Sequence, residues 1–167
     1  MSTTLREDED YRNFRQASHV AVCFFGIYTA VYSAQNLQST IFDHAGYGSL
    51  GLISNAVAYV GQGIGSVYCV YFINKIGDVK AMAWGSVMSL PFIAALLQPT
   101  IGFYYQESTN FFFTWPVVSF LTIVTSFFNG FGEGVAQPAS GKFISDCATE
   151  NSKGFFFAYF WAFYMGS

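Results

Sequence analysis

Residues 16–42 read QASHVAVCFFGIYTAVYSAQNLQSTIF and contain no Asp, Glu, Lys or Arg. A helix needs about 20 apolar residues to cross roughly 30 Å of hydrocarbon, because it rises about 1.5 Å per residue. This run is long enough, and it lacks the polar stripe at about 3.6-residue spacing that a helix packed on a soluble core shows. The stretch therefore predicts a transmembrane helix.

Three more runs without a charged side chain follow, over residues 44–74, 81–106 and 108–132. The chain has 167 residues, of which 53% are hydrophobic, 20% aromatic and only 10% charged, and its mean hydropathy is +0.36. A soluble domain has about 25% charged residues. Run length and composition together predict an all-α, polytopic transmembrane helix bundle. The net charge of −3 and the absence of a basic patch argue against nucleic acid as a partner.

The predicted bundle covers residues 17–167, and residues 1–16 precede it as a polar, acidic N-terminal tail. Its last segment, 154–167, is an incomplete fifth span: its 14 residues make roughly 21 Å of helix, too short to cross a bilayer. Whether the biological chain continues past Ser167 is left open. The four complete spans are placed at about 17–41, 49–73, 81–98 and 112–136.

Basic residues predict the orientation of the bundle. With alternating spans, one side receives no Lys or Arg, and the positive-inside rule then places the N-terminus on the cytosolic side or its topological equivalent. The organelle stays open between the mitochondrial inner membrane, as a subunit of a complex, and the plasma membrane or endomembranes. All seven basic residues fall on the N-terminal side: Arg6, Arg12, Arg15, Lys75, Lys80, Lys142 and Lys153.

Two glycine clusters lie inside predicted spans. Gly61 and Gly65 belong to GQGIG in the second span, and Gly130 and Gly134 belong to GFGEG in the fourth. Small residues four apart let two helix backbones approach closely, which matters in lipid because packing replaces the hydrophobic effect between helices. We expect close helix packing at all four positions. A flexible point for a conformational change is the functional alternative.

Polar side chains within the spans are the candidate site residues. An amide or carboxylate in hydrocarbon needs a partner, so these groups are expected to face other helices or a wet cavity. Interhelical hydrogen bonding and a polar cavity for an ion or solute both remain open. Counted from Phe112, the only acid among them lies roughly 30 Å along its helix, near the interface with the basic loops. The candidates are Asn36, Gln38, Gln62, Glu133 and Gln137.

Metal and catalytic chemistry have little support in the sequence. Cys23, Cys69 and Cys147 are widely spaced and fit no metal or disulfide pattern. His19 and His44 are the only histidines, and no pairing of a nucleophile with a base is visible. We therefore expect a protein that is not an enzyme and has no cofactor, with structural lipids as its associated small molecules.

Three segments carry a family resemblance. Residues 32–59, YSAQNLQSTIFDHAGYGSLGLISNAVAY, and the aromatic segment 150–163, ENSKGFFFAYFWAF, resemble the uncoordinated-ninety-three-like, ion-channel regulatory branch of the major facilitator superfamily. The matching positions of the first segment include Asn36, Gln38 and Gly48. The third segment, NKIGDVKA, is similar to the loop motif of that superfamily at Lys75, Gly77 and Lys80, and it departs from the motif at Asn74 and Asp78.

The resemblance implies a fold and two alternative functions. The fold would be the N-terminal half of a major-facilitator-type bundle. The first function is a non-enzymatic accessory or regulatory subunit with a transporter-like fold, held in a larger membrane complex with other membrane protein subunits as partners. The alternative is the N-terminal fragment of a solute or cation transporter of that superfamily, whose small-molecule substrate the sequence does not identify.

Overall fold

The computed structural model describes residues 3–105, 111–150 and 152–166. All regular secondary structure in these ranges is helical, without a strand, which confirms the predicted all-α bundle. The helices are α1 (Thr3–His44), α2 (Leu50–Ile76), α3 (Asp78–Val87), α4 (Leu90–Tyr105), α5 (Trp115–Cys147) and α6 (Lys153–Met165), with a 3-10 turn at Phe111–Phe113.

Four helical segments within the described ranges are long and apolar enough to cross a membrane. Their outward faces fit hydrocarbon better than water: Val67 is 78% exposed and Phe120 is 67% exposed. Large exposed apolar patches are rare on soluble monomers. The four segments are Asn13–His44, Leu50–Ile76, Asp78–Gly102 and Trp115–Cys147.

The third predicted span consists of two helices. α3 ends at Val87 and α4 begins at Leu90, with a turn at Met88 and Ser89 between them. Pro91 explains the interruption, because it has no N–H to donate to the carbonyl of Val87 four residues earlier. Taken together, residues 78–102 are nevertheless long and apolar enough to form a single candidate span.

The fourth span is longer than predicted. α5 continues through Pro138 to Cys147, whereas the sequence placed its end at residue 136. A proline is tolerated inside a transmembrane helix when neighbouring groups satisfy the freed backbone atoms. Glu133 therefore lies near the middle of α5, roughly 27 Å from Trp115 and roughly 21 Å from Cys147 at 1.5 Å per residue. The predicted end of this helix at residue 136 is wrong, while the predicted position of Glu133 near the interface with the basic loops stays a prediction.

Helix α5 runs parallel to α2. The hydroxyls of Ser54 and Ser126 are 2.5 Å apart, and one turn further along both helices Ala58 lies against Gly130. The contacts therefore advance in the same direction on both helices. Two parallel neighbours separated by one complete span are what an alternating topology requires.

Helices α1 and α6 are also parallel. Phe14 packs edge-on against Phe156, with ring centroids 6.0 Å apart, and further along both helices Tyr28 packs against Tyr164 at 5.2 Å. Phe14 belongs to the segment predicted as a tail. α1 continues through this segment as one helix of 42 residues.

A polar layer separates two apolar clusters in the bundle. The outer cluster lies near the turn between α1 and α2, and it consists of Phe42, Leu50, Phe92, Leu96 and Val118. The inner cluster lies near the turn between α2 and α3, and its buried members include Ala21, Phe24, Ala81, Ala136, Ile144 and Phe160. Between the two clusters, the buried side chains are largely polar: Ser54, Thr122, Ser126, Asn129 and Glu133.

Candidate functional site

A polar cavity of about 480 Å³ opens in this middle layer. Four helices contribute to its wall, and most of the lining side chains carry a hydroxyl, an amide or a carboxyl group. The lining residues are Tyr32, Gln35 and Asn36 of α1, Asn55, Ala58, Tyr59 and Gln62 of α2, Glu133 and Gln137 of α5, and Tyr164 of α6.

The cavity lies at mid-height of the long helices. Gln62 is roughly 18 Å from the start of α2 and roughly 21 Å from its end at 1.5 Å per residue. Glu133 is similarly central in α5. Ionisable groups near the middle of a membrane-spanning helix are rare and mark sites of function.

Glu133 is the acidic group among the described lining residues. It is 5% exposed, and its Oε1 accepts a hydrogen bond of 3.0 Å from Asn129 Nδ2, one turn earlier on α5. Asn129 itself is fully buried. Among the described lining residues there is no Lys, Arg or His. The carboxyl group is therefore positioned by one amide donor, without a cationic side chain in the wall to balance a negative charge.

A chain of polar contacts joins the four helices at the wall of the cavity. Gln62 Nε2 donates to Gln137 Oε1 at 3.3 Å, and Gln137 Nε2 donates to the hydroxyl of Tyr164 at 2.5 Å. The hydroxyls of Tyr164 and Tyr32 are also in contact. This chain links α2 to α5, α5 to α6 and α6 to α1, so it fixes the positions of the walls relative to one another.

The mouth of the cavity opens sideways between α1 and α2. Asn36 and Tyr59 are exposed there, and Tyr59 has 73% of its surface accessible. Gln35 and Asn55 are partly exposed beside them. An unpaired amide costs several kcal/mol in hydrocarbon, roughly as an unsatisfied backbone group does. This mouth is therefore chemically unsuited to face acyl chains.

The glycine clusters bring α2 and α5 together directly beside the cavity. A Cβ at Gly130 would overlap the backbone of Ala58, and one at Gly134 would overlap the carbonyl of Gln62. Gly61 and Gly65 lie equally close to the backbone of α5 near Phe131. All four predicted packing glycines are therefore at one close interface. This interface places Gln62 next to Gln137 and holds Glu133 at the cavity wall.

Gln38 lies apart from the other four predicted site residues. It is fully buried, and its Nε2 donates to the carbonyl of Gly51 at 2.7 Å. Gly51 lies on the first turn of α2, where its missing side chain leaves room for the backbone of Ser39. Gln38 therefore joins α1 to α2 near their turn and does not line the cavity.

The loop motif lies at the end of the bundle, away from the cavity. Gly77 has φ of +85°, a left-handed conformation that favours glycine, and it connects α2 directly to α3. Lys75 Nζ donates to the hydroxyl of Tyr71 at 3.2 Å, and Lys80 is exposed. Asp78 Oδ1 accepts from the N–H of Val79 at 2.9 Å. The motif forms the turn and contributes no described lining residue.

Three tyrosines of the lining were not predicted as site residues. Tyr32, Tyr59 and Tyr164 come from three different helices, and nothing in their local sequence distinguishes them from the other aromatic residues. The buried polar face of α5 had a readable signal, because its members recur every three or four residues as one face of a helix does. That face consists of Ser119, Thr122, Ser126, Asn129, Glu133 and Ser140, which are buried, and of Gln137, which is half-buried.

The described residues contain no group of three or more His, Cys, Asp or Glu side chains that could hold a metal ion. Comparison with protein-family models, with curated proteins and with solved structures gives no match to this chain. The family resemblance of the three segments therefore remains a prediction. What can be argued about function comes from the bundle and its cavity.

Proposed function

We propose that this chain is an integral membrane protein that binds a small polar solute in its cavity, as part of a transporter of the solute-carrier type. Of the two functions expected from the sequence, the geometry favours this one. The observation that carries the proposal is the polar cavity at mid-height with the Glu133 carboxyl in its wall. Small-molecule sites in helical membrane proteins are found in such places.

Hydrogen bonding between helices accounts for only part of the polar lining. Gln62, Gln137 and Tyr164 bond to one another across three helices, so their presence is explained by packing. Glu133 bonds within α5, to Asn129, and therefore joins no two helices. A carboxyl group that does not hold the bundle together is costly at this depth. Its position at the cavity is consistent with contact to a bound molecule.

The accessory-subunit function is a second candidate, and the sideways mouth favours it. Because the exposed amide of Asn36 is unsuited to acyl chains, another protein surface or an aqueous vestibule is expected beside α1 and α2. In a transporter this surface would belong to the second half of the molecule. In an accessory subunit it would belong to a partner subunit, and the mouth would be covered in the native complex.

Orientation and family belong to the same proposal. Seven basic residues on one side of the predicted topology support an N-terminus on the cytosolic or an equivalent side. The parallel pairs α2 with α5 and α1 with α6 agree with alternating spans. Three-helix repeats of the major-facilitator type alternate in this way.

Thiol labelling tests the proposal. In a Cys23→Ser background, which removes the exposed native thiol, Gln62→Cys places a cysteine in the cavity wall. Val60→Cys is the matched control, since Val60 is 61% exposed on the outer face of α2 at nearly the same depth. We expect a hydrophilic thiol reagent to label Gln62→Cys in the purified protein and to leave Val60→Cys unlabelled. Lack of labelling at both positions would show a dry cavity and contradict solute binding.

The same two variants separate the two candidate functions when they are labelled in native membranes. A transporter keeps its cavity accessible to water in the membrane, so Gln62→Cys should react there as it does after purification. An accessory subunit has its mouth covered by a partner. In that case Gln62→Cys should be protected in the native membrane and become reactive only after the complex is dissociated.

A further inference from the structure

We infer that the solute class of this cavity is a small organic cation with a protonated amine and further hydrogen-bonding groups. The inference rests on the proposed function and adds the chemistry of the ligand. It follows from the charge of the wall, from the number and kind of its oxygen atoms, and from the aromatic rings among them.

The charge of the wall selects against anions. Glu133 is the ionisable acid among the described lining residues, and no basic side chain accompanies it there. In its ionised form this buried carboxyl group repels an anionic ligand and attracts a cation strongly, because little water screens it and the effective dielectric constant is low. A neutral ligand would leave the carboxyl group with the Asn129 amide as its described hydrogen-bond donor.

A divalent metal ion such as calcium or magnesium does not fit the wall. Calcium takes about six to eight oxygen ligands and magnesium demands near-octahedral geometry. Glu133 is a single carboxyl group, and the described residues contain no cluster of three His, Cys, Asp or Glu side chains. An ammonium group instead requires only two or three acceptors around its N–H donors. The carboxyl oxygens of Glu133 and the carbonyl oxygens of nearby amides can supply these.

The aromatic rings and amide groups of the lining also suit an organic cation. Tyr32, Tyr59 and Tyr164 all line the cavity, and an ammonium group is attracted to the face of an aromatic ring within about 6 Å. Gln35 and Asn55, nearer the mouth, offer donors and acceptors to the remaining polar groups of a ligand. A volume of about 480 Å³ lies in the usual range for small-molecule sites, about 300–1,000 Å³.

The first experiment compares the charge preference of the cavity with and without its carboxyl group. The Gln62→Cys, Cys23→Ser protein is labelled with 2-aminoethyl methanethiosulfonate, a cation, and with 2-sulfonatoethyl methanethiosulfonate, an anion carrying the same reactive group. Each rate is divided by the rate of that reagent with a free thiol. We expect a cation-to-anion ratio of about tenfold or more, from the attraction of one carboxylate in the wall of the same cavity. Adding Glu133→Gln should reduce the ratio to near one.

The second experiment uses three competitors that share a sugar ring and differ in charge: glucosamine, glucose and glucuronate. We expect glucosamine to slow labelling of Gln62→Cys by the cationic reagent, and glucose and glucuronate to have little effect. Glu133→Gln should remove the protection by glucosamine. An unchanged elution profile in size-exclusion chromatography shows that this variant is folded.

The outcomes distinguish the inference from the proposed function. If neither reagent labels Gln62→Cys, the cavity is dry and both fail. If both reagents label it with a ratio near one, or if Glu133→Gln leaves the ratio unchanged, the cation inference is overturned while a wet solute cavity stands. Equal protection by all three sugars, or protection by glucuronate alone, also overturns the inference and leaves solute binding intact.

Discussion

Two helix interfaces of this bundle are built in opposite ways. Between α2 and α5 the backbones touch, because Gly130 and Gly134 leave no side chain between them and the backbone of α2. Between α1 and α6 the contacts are made by rings, as where Phe24 packs against Phe160 with centroids 5.6 Å apart. The first interface is backbone against backbone, and the second is side chain against side chain.

The difference determines what each interface tolerates. Backbone atoms in contact cannot move aside, so an added methyl group at a glycine must push the helices apart. Rings in contact can turn or be replaced by lipid, so a lost ring leaves a defect that is smaller and local. The cavity lies between the two interfaces, with Gln62 and Glu133 from the glycine side and Tyr32 and Tyr164 from the aromatic side.

The largest effect is expected at the glycine interface. In a Gly130→Ala, Gly134→Ala variant, both new Cβ atoms would overlap the backbone of α2. We expect a loss of about 3 kcal/mol or more in the free energy of unfolding, because overpacking costs about 1–3 kcal/mol per site. Unfolding in mixed micelles at increasing SDS measures it. In Gly63→Ala and Gly141→Ala the new Cβ meets nothing within 4 Å, so these controls should match or exceed the wild type.

A smaller effect is expected at the aromatic interface. Phe160 is 3% exposed and belongs to the inner cluster, so Phe160→Ala removes a buried ring. We expect a loss of about 2 kcal/mol, below the usual 3–5 kcal/mol for soluble cores, because lipid replaces some of the lost packing. Phe120→Ala on the outer face of α5 is the control and should cost about 0.5 kcal/mol or less. Equal losses for the two variants would mean that α6 is not packed on α1 as described.

The smallest effect is expected from the hydrogen bond between the two serines at the α2–α5 interface. A double-mutant cycle of Ser54→Ala and Ser126→Ala should give a coupling free energy of about 0.6 kcal/mol, typical of such bonds between transmembrane helices. The same unfolding measurement applies. Ser66→Ala is the control, because its hydroxyl bonds to the carbonyl of Gln62 in its own helix. A coupling near zero would indicate that close glycine packing alone holds this interface.

The sequence predicted the membrane-spanning segments better than the ends of the helices. The predicted spans were placed on runs without a charged residue, because such runs indicate which part of a helix lies in hydrocarbon. A helix, however, can continue into the headgroup region. For this reason α1 passes through Arg15 and α5 passes through Lys142 without interruption. Pro91 causes the break between α3 and α4. The absence of charge predicted one continuous span there, because it gives no information on interruptions within a helix.

The candidate site was only partly predicted. Asn36, Gln62, Glu133 and Gln137 line one cavity, as an intramembrane polar residue is expected to do. Gln38 does not, because it is two residues beyond Asn36 and therefore points roughly 200° around the helix from it. The polar residue type predicted a polar contact at each of these positions. Which contact each residue makes depended on the helical phase and on the packing of the bundle.

The two apolar clusters limit the routes by which a solute could reach the cavity. Each one packs one end of the described bundle, with Phe42 and Phe92 fully buried at one end and Ile144 at the other. A solute that moved parallel to the helix axes would have to displace the packed side chains of one cluster before it reached Glu133. No described side chains close the mouth of the cavity in this way beside Asn36 and Tyr59, which are both exposed. Under the proposed solute binding, a neighbour beside α1 and α2 would therefore control access to the cavity.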